Sequence, residues 1–270
     1  DISLGYIAAA RYAHSWDDQL EQRNTYSIFQ DDLIVAEDFT RRNTERSIDS
    51  SLFGALGLKI GELHSLNFTA TQLRQTTDQA QIDEGLTSSG NIDQITELEW
   101  VENELQTLQL DGEHSLPELN DLHVKWQVTD SKAGRYSPNT REYRFTFDEQ
   151  LQDFIFESFN QQRIDELDDN ALDYGIDLGM PFQIAEGIDV EVKAGVAQLD
   201  RDRESSIRRF RFSGRRPPGP IYEFEDLLQP ENIGPGGLRL EEGTLASDSY
   251  TATQKLEAWY LMVDANWGEW

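Results

Sequence analysis

The chain has 270 residues, with 51 Asp and Glu against 23 Lys and Arg, and a formal net charge of −28 at pH 7. That acidity excludes nucleic acid as a partner, which would select a basic surface, and the absence of cysteine excludes disulfides, zinc–thiolate sites and a cysteine nucleophile. Hydrophobic residues make up only 37%, below the ~45–50% of ordinary globular domains, yet aromatics reach 10%, too many for a disordered chain.

No apolar run approaches the roughly 18 residues of a membrane helix. The dominant pattern is period two, the signature of strands with unlike faces. Ile2, Leu4, Tyr6, Ala8, Ala10 and Tyr12 open a strand predicted over 2–28. Leu52, Gly54, Leu56, Leu58 and Ile60 place a second over 46–60, and Leu66, Phe68 and Ala70 a third over 65–79. A fourth, over 95–112, is less regular, because Leu105 and Leu108 fall on opposite faces. Leu122, Val124, Trp126 and Val128 give a strand over 121–131, and Tyr143, Phe145 and Phe147 a short ribbon near 141–148. Leu172 to Met180 and Ile188 to Val196 alternate cleanly, predicting 168–180 and 188–203. In the last strand, 250–265, Leu256, Ala258, Tyr260 and Met262 are overlaid by Trp259, Leu261 and Val263.

Connections alternate between short and long. Gly61–His64, Glu113–Asn120 and Pro181–Gly187 are short, whereas 29–45, 81–94, 132–167 and 204–249 are long and polar. Structureless loops of that length are uncommon in a compact domain. Short periplasmic turns and long extracellular loops are the rule in outer-membrane barrels. The expectation is therefore an all-β fold: an antiparallel up-and-down transmembrane β-barrel, present as a partial barrel of about eight strands, with apolar residues toward lipid and their polar neighbours toward the lumen. The surplus length of several strands is expected to project past the membrane as paired ribbon. Aromatics at strand ends (Tyr6, Tyr12, Trp16, Trp100, Trp126, Tyr174, Trp259, Tyr260, Trp267 and Trp270) fit interfacial girdles, or alternatively an ordinary β-sandwich core.

Chemistry-bearing motifs are sparse. The pairs Asp17-Asp18, Asp31-Asp32, Asp168-Asp169 and Glu241-Glu242 arise by chance in so acidic a chain and read as solvated. His14, His64, His114 and His123 show no metal-ligand spacing and read as exposed or lumen-facing. No Walker loop, GxGxxG, nucleophile elbow or EF-hand loop is present. The expectation is no catalytic centre, no metal and no cofactor. One basic island stands out: Arg201, Arg203, Arg208, Arg209, Arg211, Arg215 and Arg216, with Phe210 and Phe212 interleaved. Arg208, Arg209, Arg211, Arg215 and Arg216 are the candidate ligand-binding residues, for an anionic ligand or a lipopolysaccharide phosphate. The alternative is neutralisation of neighbouring acidic loops.

The run from Glu97-Leu98-Glu99-Trp100 through Leu110-Asp111-Gly112-Glu113-His114 resembles barrel strands of TonB-dependent outer-membrane receptors. Leu122–Tyr136, Arg141–Phe147 and Glu257–Met262 are similar to later strands and ribbons of that family. The resemblance covers most of residues 1–270 in strand order. It implies part of a 22-stranded barrel in the outer membrane of a Gram-negative bacterium, with the plug domain, TonB box and C-terminal strands outside this chain. It further implies import of a scarce nutrient such as an iron–siderophore complex, cobalamin or a carbohydrate. The partners implied are TonB through the plug, outer-membrane lipid and lipopolysaccharide, and a small-molecule ligand selected by the loops near 29–45, 132–167 and 204–249. A porin, a β-barrel lipase or protease, and a soluble all-β carbohydrate-binding module or propeller fragment are the alternatives.

Overall fold

A computed structural model describes residues 1–185 and 188–267, with the side chains of 157–159 and 185 outside that description. Nine strands form one antiparallel sheet: β1 (Ile2–Phe29), β2 (Asp32–Ile60), β3 (His64–Leu86), β4 (Ile92–Leu116), β5 (Leu122–Asp148), β6 (Asp153–Ala185), β7 (Ile188–Gly214), β8 (Leu238–Glu242) and β9 (Ser249–Trp267). They pair in sequence order from β1 to β7. There the sheet forks, β8 pairing with the far end of β7 and β9 with its near end. Among the described residues β1 pairs only with β2 and β9 only with β7, so the sheet is open and Ile2–Tyr12 does not meet Leu256–Met262.

The faces follow the alternation of the sequence, because residues directly opposite in antiparallel strands share a face. Leu4, Leu58, Leu66, Gly112, Trp126, Ile176, Val196 and Trp259 stand side by side in one row. The next row, on the opposite face, reads Ser3, Lys59, Ser65, Glu113, Lys125, Asp177, Gly195 and Tyr260. Asp177 and Lys193 both lie on this polar face. Much of the apolar face is uncovered by the described residues: Leu56 is 51% exposed, Val196 57% and Trp259 79%.

Strand length is the main departure from expectation. β1 to β7 run 23 to 33 residues each, roughly 75–110 Å at ~3.3 Å per residue. The segments 29–45, 81–94 and 132–167, expected as loops, are continuations of the strands, joined by tight turns at 30–31, 87–91 and 149–152. Gln30 and Asp31 both take positive φ, 52° and 68°, as a two-residue hairpin requires. The ribbon near 141–148 is the end of β5, and β7 extends eleven residues into the last expected loop. Alternation fails as a marker there because both faces are polar, while the backbone ladder needs no apolar side chain to continue. At the other rim the expected turns shorten as well. Strand runs to Leu116 and to Ala185, so Pro181 is paired, and the apex at 186–187 lies outside the described residues.

Among the described residues, the one buried apolar cluster sits at the long-ribbon end. Residues 215–248 form a strap, including β8 and a single helical turn at Phe224–Leu227. Ile221, Phe224, Leu227 and Leu238 from this strap pack against Phe145 and Phe156. Tyr143 stacks on Phe224 with the rings 4.7 Å apart. Asn160 fastens the far end of β7, accepting from the Phe212 N–H at 2.7 Å and donating to its carbonyl at 3.0 Å.

Candidate functional site

The basic island divides between the ladder and the strap. Arg208 donates through Nε and Nη2 to Glu242 at 3.1 and 3.2 Å, and Arg209 likewise to Asp248 at 3.1 and 3.3 Å. Arg211 reaches Glu241 at 3.4 Å, and Arg216 donates to the Phe156 carbonyl at 2.9 Å. The Arg215 N–H donates to the Gly237 carbonyl at 3.3 Å. Arg208, Arg209 and Arg211 of β7 therefore pair with carboxylates of the strap and Arg216 ties the strap to β6, whereas the Arg215 bond is a backbone one within the strap. Arg208 and Thr244 hold the Glu242 carboxyl below its usual range, and the Leu245 N–H with Arg209 does the same for Asp248.

Arg201 and Arg203 act elsewhere. Both grip Asp169, through Nε at 2.7 and 2.8 Å and through a second nitrogen each. Asp169 is 5% exposed. The Arg201 hydrogen bond, joined by that from Arg203, outweighs desolvation and holds its carboxyl down to about 2. Asp168 points to the opposite face, as neighbours on a strand must. The adjacent carboxylates Asp17-Asp18 and Glu241-Glu242 are separated by the same rule, each pair lying within one strand. Asp31 and Asp32 lie at the β1–β2 hairpin.

The histidines are placed by the rows. His64 and His114 are direct cross-strand partners with Nδ1 atoms 3.2 Å apart, and Trp126 Nε1 donates to His114 Nε2 at 3.1 Å. The Trp126 bond makes His114 Nε2 an acceptor, so His114 carries its proton on Nδ1 and donates to His64. His123 faces the Ser115 hydroxyl at 3.0 Å, and Arg46 Nε donates to His14 at 3.1 Å. Among the described residues no group of three or more His, Asp or Glu is placed to hold a metal ion. The aromatics also separate. Trp126 and Trp259 lie in the apolar row, whereas Tyr260 sits on the polar face and donates to Asp177 at 2.7 Å across Gly195. Trp16 and Trp100 share an interior row with Arg46 and Asp78, not a strand end, because their strands run past the expected limits. Trp270 lies outside the described residues.

A second constellation escapes a sequence reading, since its residues come from segments expected to be loops. On the polar face, Arg23, Phe39, Gly85, Asp93 and Thr146 form one row across β1 to β5. Glu21, Arg41, Asp83, Ile95 and Arg144 form the row beside it. Arg23, Phe39, Asp83, Asp93, Arg144 and Thr146 of these rows, with the β3–β4 turn, help to bound a cavity of about 360 Å³. Arg41 grips Asp83 with two bonds of 2.7 and 2.6 Å, and Arg23 lies 4.0 Å away. Asp93 accepts from Thr146 at 2.8 Å, with Arg144 at 3.6 Å. Asp83 and Asp93 are 8% and 3% exposed. Gly85 is required between them, because a Cβ there would collide with the Asp38 carbonyl oxygen. A few residues along, Glu97 is pushed above its usual range by burial, reinforced by Glu142 and Glu99. The only sequence signal for this site was charge alternating with Phe39, Gly85 and Ile95 in otherwise polar stretches.

Compared with known proteins, the chain matches no family model, no curated protein and no solved structure.

Proposed function

We propose that this sheet is wall of an outer-membrane β-barrel, crossing the bilayer at its short-turn end and carrying a ligand-facing site on its long ribbons. The observation that supports this is the slope of the apolar band across the hydrogen-bond lattice. Away from the row through Leu58 and Trp259, the first polar residue on the apolar face comes eight residues on in β2 (Ser50) and six in β3 (Gln72) and β4 (Gln106). It comes four on in β5 (Asp130), six in β6 (Asn170), and two in β7 (Gln198) and β9 (Glu257). The boundary thus falls six residues over the six strand steps from β2 to β9, one per strand. With ~3.3 Å per residue along a strand and ~4.8 Å between strands, a flat boundary is met by strands tilted about 35°, the tilt of transmembrane barrels. The band has the same height on the first and last of these strands: Leu52–Ile60 on β2 and Trp259–Trp267 on β9 each span nine residues, about 22 Å along the normal at that tilt, against a ~25 Å apolar band. A soluble sheet covered by a second layer has no reason to set its boundary obliquely to its own ladder.

The uptake role, with TonB acting through a plug outside this chain and lipopolysaccharide around the ribbons, extends this reading through the strand resemblance. The test uses single-tryptophan variants in vesicles of brominated phospholipid. Trp126 and Trp259 should be quenched strongly and Trp100 should not, lying six residues beyond the boundary at Gln106, roughly 20 Å along its strand; Trp16, two residues beyond the first polar residue His14 on its face of β1, should fall between them. Equal quenching at all four positions, or none, would overturn it. For the receptor role, uptake that persists in cells lacking TonB would count against it.

A further inference from the structure

We infer that the cavity on the polar face at the β1–β5 ribbons is a binding site for a neutral saccharide of mono- or disaccharide size. This rests on the barrel-wall reading, which makes that face the lumen. The cavity, about 360 Å³, is at the small end of the ~300–1,000 Å³ of ligand sites. Its charges are balanced from within. Asp83 is engaged by Arg41 and Arg23, Asp93 by Thr146 and Arg144, while the chain as a whole carries −28. An anionic ligand would face Asp83, Asp93 and Glu37, and a cation would face Arg23 and Arg144, so neither finds a complementary field.

A polyol suits this lining. Each sugar hydroxyl both donates and accepts, and the site offers carboxylate acceptors beside guanidinium donors, held in place by bonds they already make to each other. Phe39 supplies the one aromatic surface among the lining residues. The mouth is the β3–β4 turn, which contributes Thr87, Ser88, Ser89 and Asn91. Thr87 fixes that turn, donating from Oγ1 to the Asn91 carbonyl at 3.0 Å and accepting from the Asn91 N–H at 3.2 Å. The site is therefore assembled before ligand arrives, which lowers the entropy cost of binding.

The experiment is calorimetric titration of the whole protein in detergent with maltose, cellobiose, lactose and sucrose, and with glucose 6-phosphate as the anionic probe. At least one neutral disaccharide should bind, and glucose 6-phosphate should not displace it. Asp93→Asn should weaken that binding at least tenfold. Ser88→Trp, on the exposed turn and clear of the buried ion pairs, should do the same by filling the mouth, with the thermal midpoint unchanged. Binding of none of the four, binding unaffected by Ser88→Trp, or tighter binding of glucose 6-phosphate would overturn the assignment. Quenching by brominated lipid on the same samples keeps the two readings apart. Quenching without saccharide binding rejects the ligand and leaves the wall standing, whereas loss of quenching removes the wall itself.

Discussion

The sloping band makes a prediction that no untilted sheet shares. Leu56 on β2 and Gln198 on β7 belong to the same ladder row and face, reached through Phe68, Leu110, Val128 and Tyr174. Leu56 is the middle of the five apolar-face positions from Leu52 to Ile60, so it sits at the bilayer midplane. Gln198 is the first polar residue beyond Val196, so it sits at the interface. Arginine at the midplane of a barrel costs about 2–4 kcal/mol and near the interface about 0–1 kcal/mol. Leu56→Arg should therefore lower the unfolding free energy in phospholipid vesicles by about 2–4 kcal/mol, and Gln198→Arg by less than about 1 kcal/mol. The assay is reversible guanidinium unfolding followed by tryptophan emission. Exposure in water does not anticipate the contrast, because Leu56 is already 51% exposed in the isolated chain. Equal costs at the two positions would refute the tilt, and a negligible cost at Leu56 would refute the bilayer.

Other expectations follow from single contacts. A Cβ at Gly112 would lie 2.6 Å from the Trp126 indole, so Gly112→Ala should swing the ring away and break its bond to His114. That overpacking should cost about 1–3 kcal/mol, with a shift in tryptophan emission as the direct readout. Leu227, 1% exposed beneath the strap, should cost about 2–5 kcal/mol when cut to alanine, and limited proteolysis should then cleave within 215–248 while the ladder stays protected. Asp169, held at about 2 against an ordinary 3.8, contributes stability that is present above its unfolded value and lost as pH falls through its folded one. Asp169→Asn should flatten the acid limb between about pH 4 and pH 2, and denaturant midpoints across that range that leave the slope unchanged would disprove the role given to Arg201 and Arg203.

The sequence carried the fold wherever the two faces of a strand meet different surroundings. Leu122 to Val128 and Leu172 to Met180 alternate because one face is apolar and the other polar, and both fall on the faces expected of them. Beyond the band both faces meet polar surroundings, selection for alternation lapses, and 29–45 or 132–167 reads as loop although the backbone ladder continues unbroken in type. Composition there still satisfies the strand chemically, but through cross-strand charge pairs such as Arg74 with Glu102 and Arg41 with Asp83. Such pairs join residues 28 and 42 positions apart, so no local window reveals them. The cavity at Asp83 and Asp93 was illegible for that reason, whereas the arginine island was legible as composition and ambiguous only in its partners, which the strap supplies for Arg208, Arg209 and Arg211 and β6 for Arg201 and Arg203.

The same lattice explains how one sheet can serve two opposed demands. On the proposed barrel-wall reading, the energy that would come from a packed core comes in the band from lipid on the apolar face, leaving the polar face free to carry Lys125 with Glu113 and Tyr260 with Asp177. On the ribbons lipid is absent, and exposed ion pairs contribute only about 0–1 kcal/mol each. An isolated two-stranded hairpin would be marginal under those terms. These ribbons are instead neighbours, paired in order from β1 through β6, so β2 to β5 are held on both sides and the buried acids can be gripped by residues from different hairpins. Asp83 of β3 is held by Arg41 of β2, and Asp93 of β4 by Thr146 of β5. Width therefore does for the ribbons what lipid does for the band. A polar site that would collapse on a single hairpin is held open because five strands fix its floor.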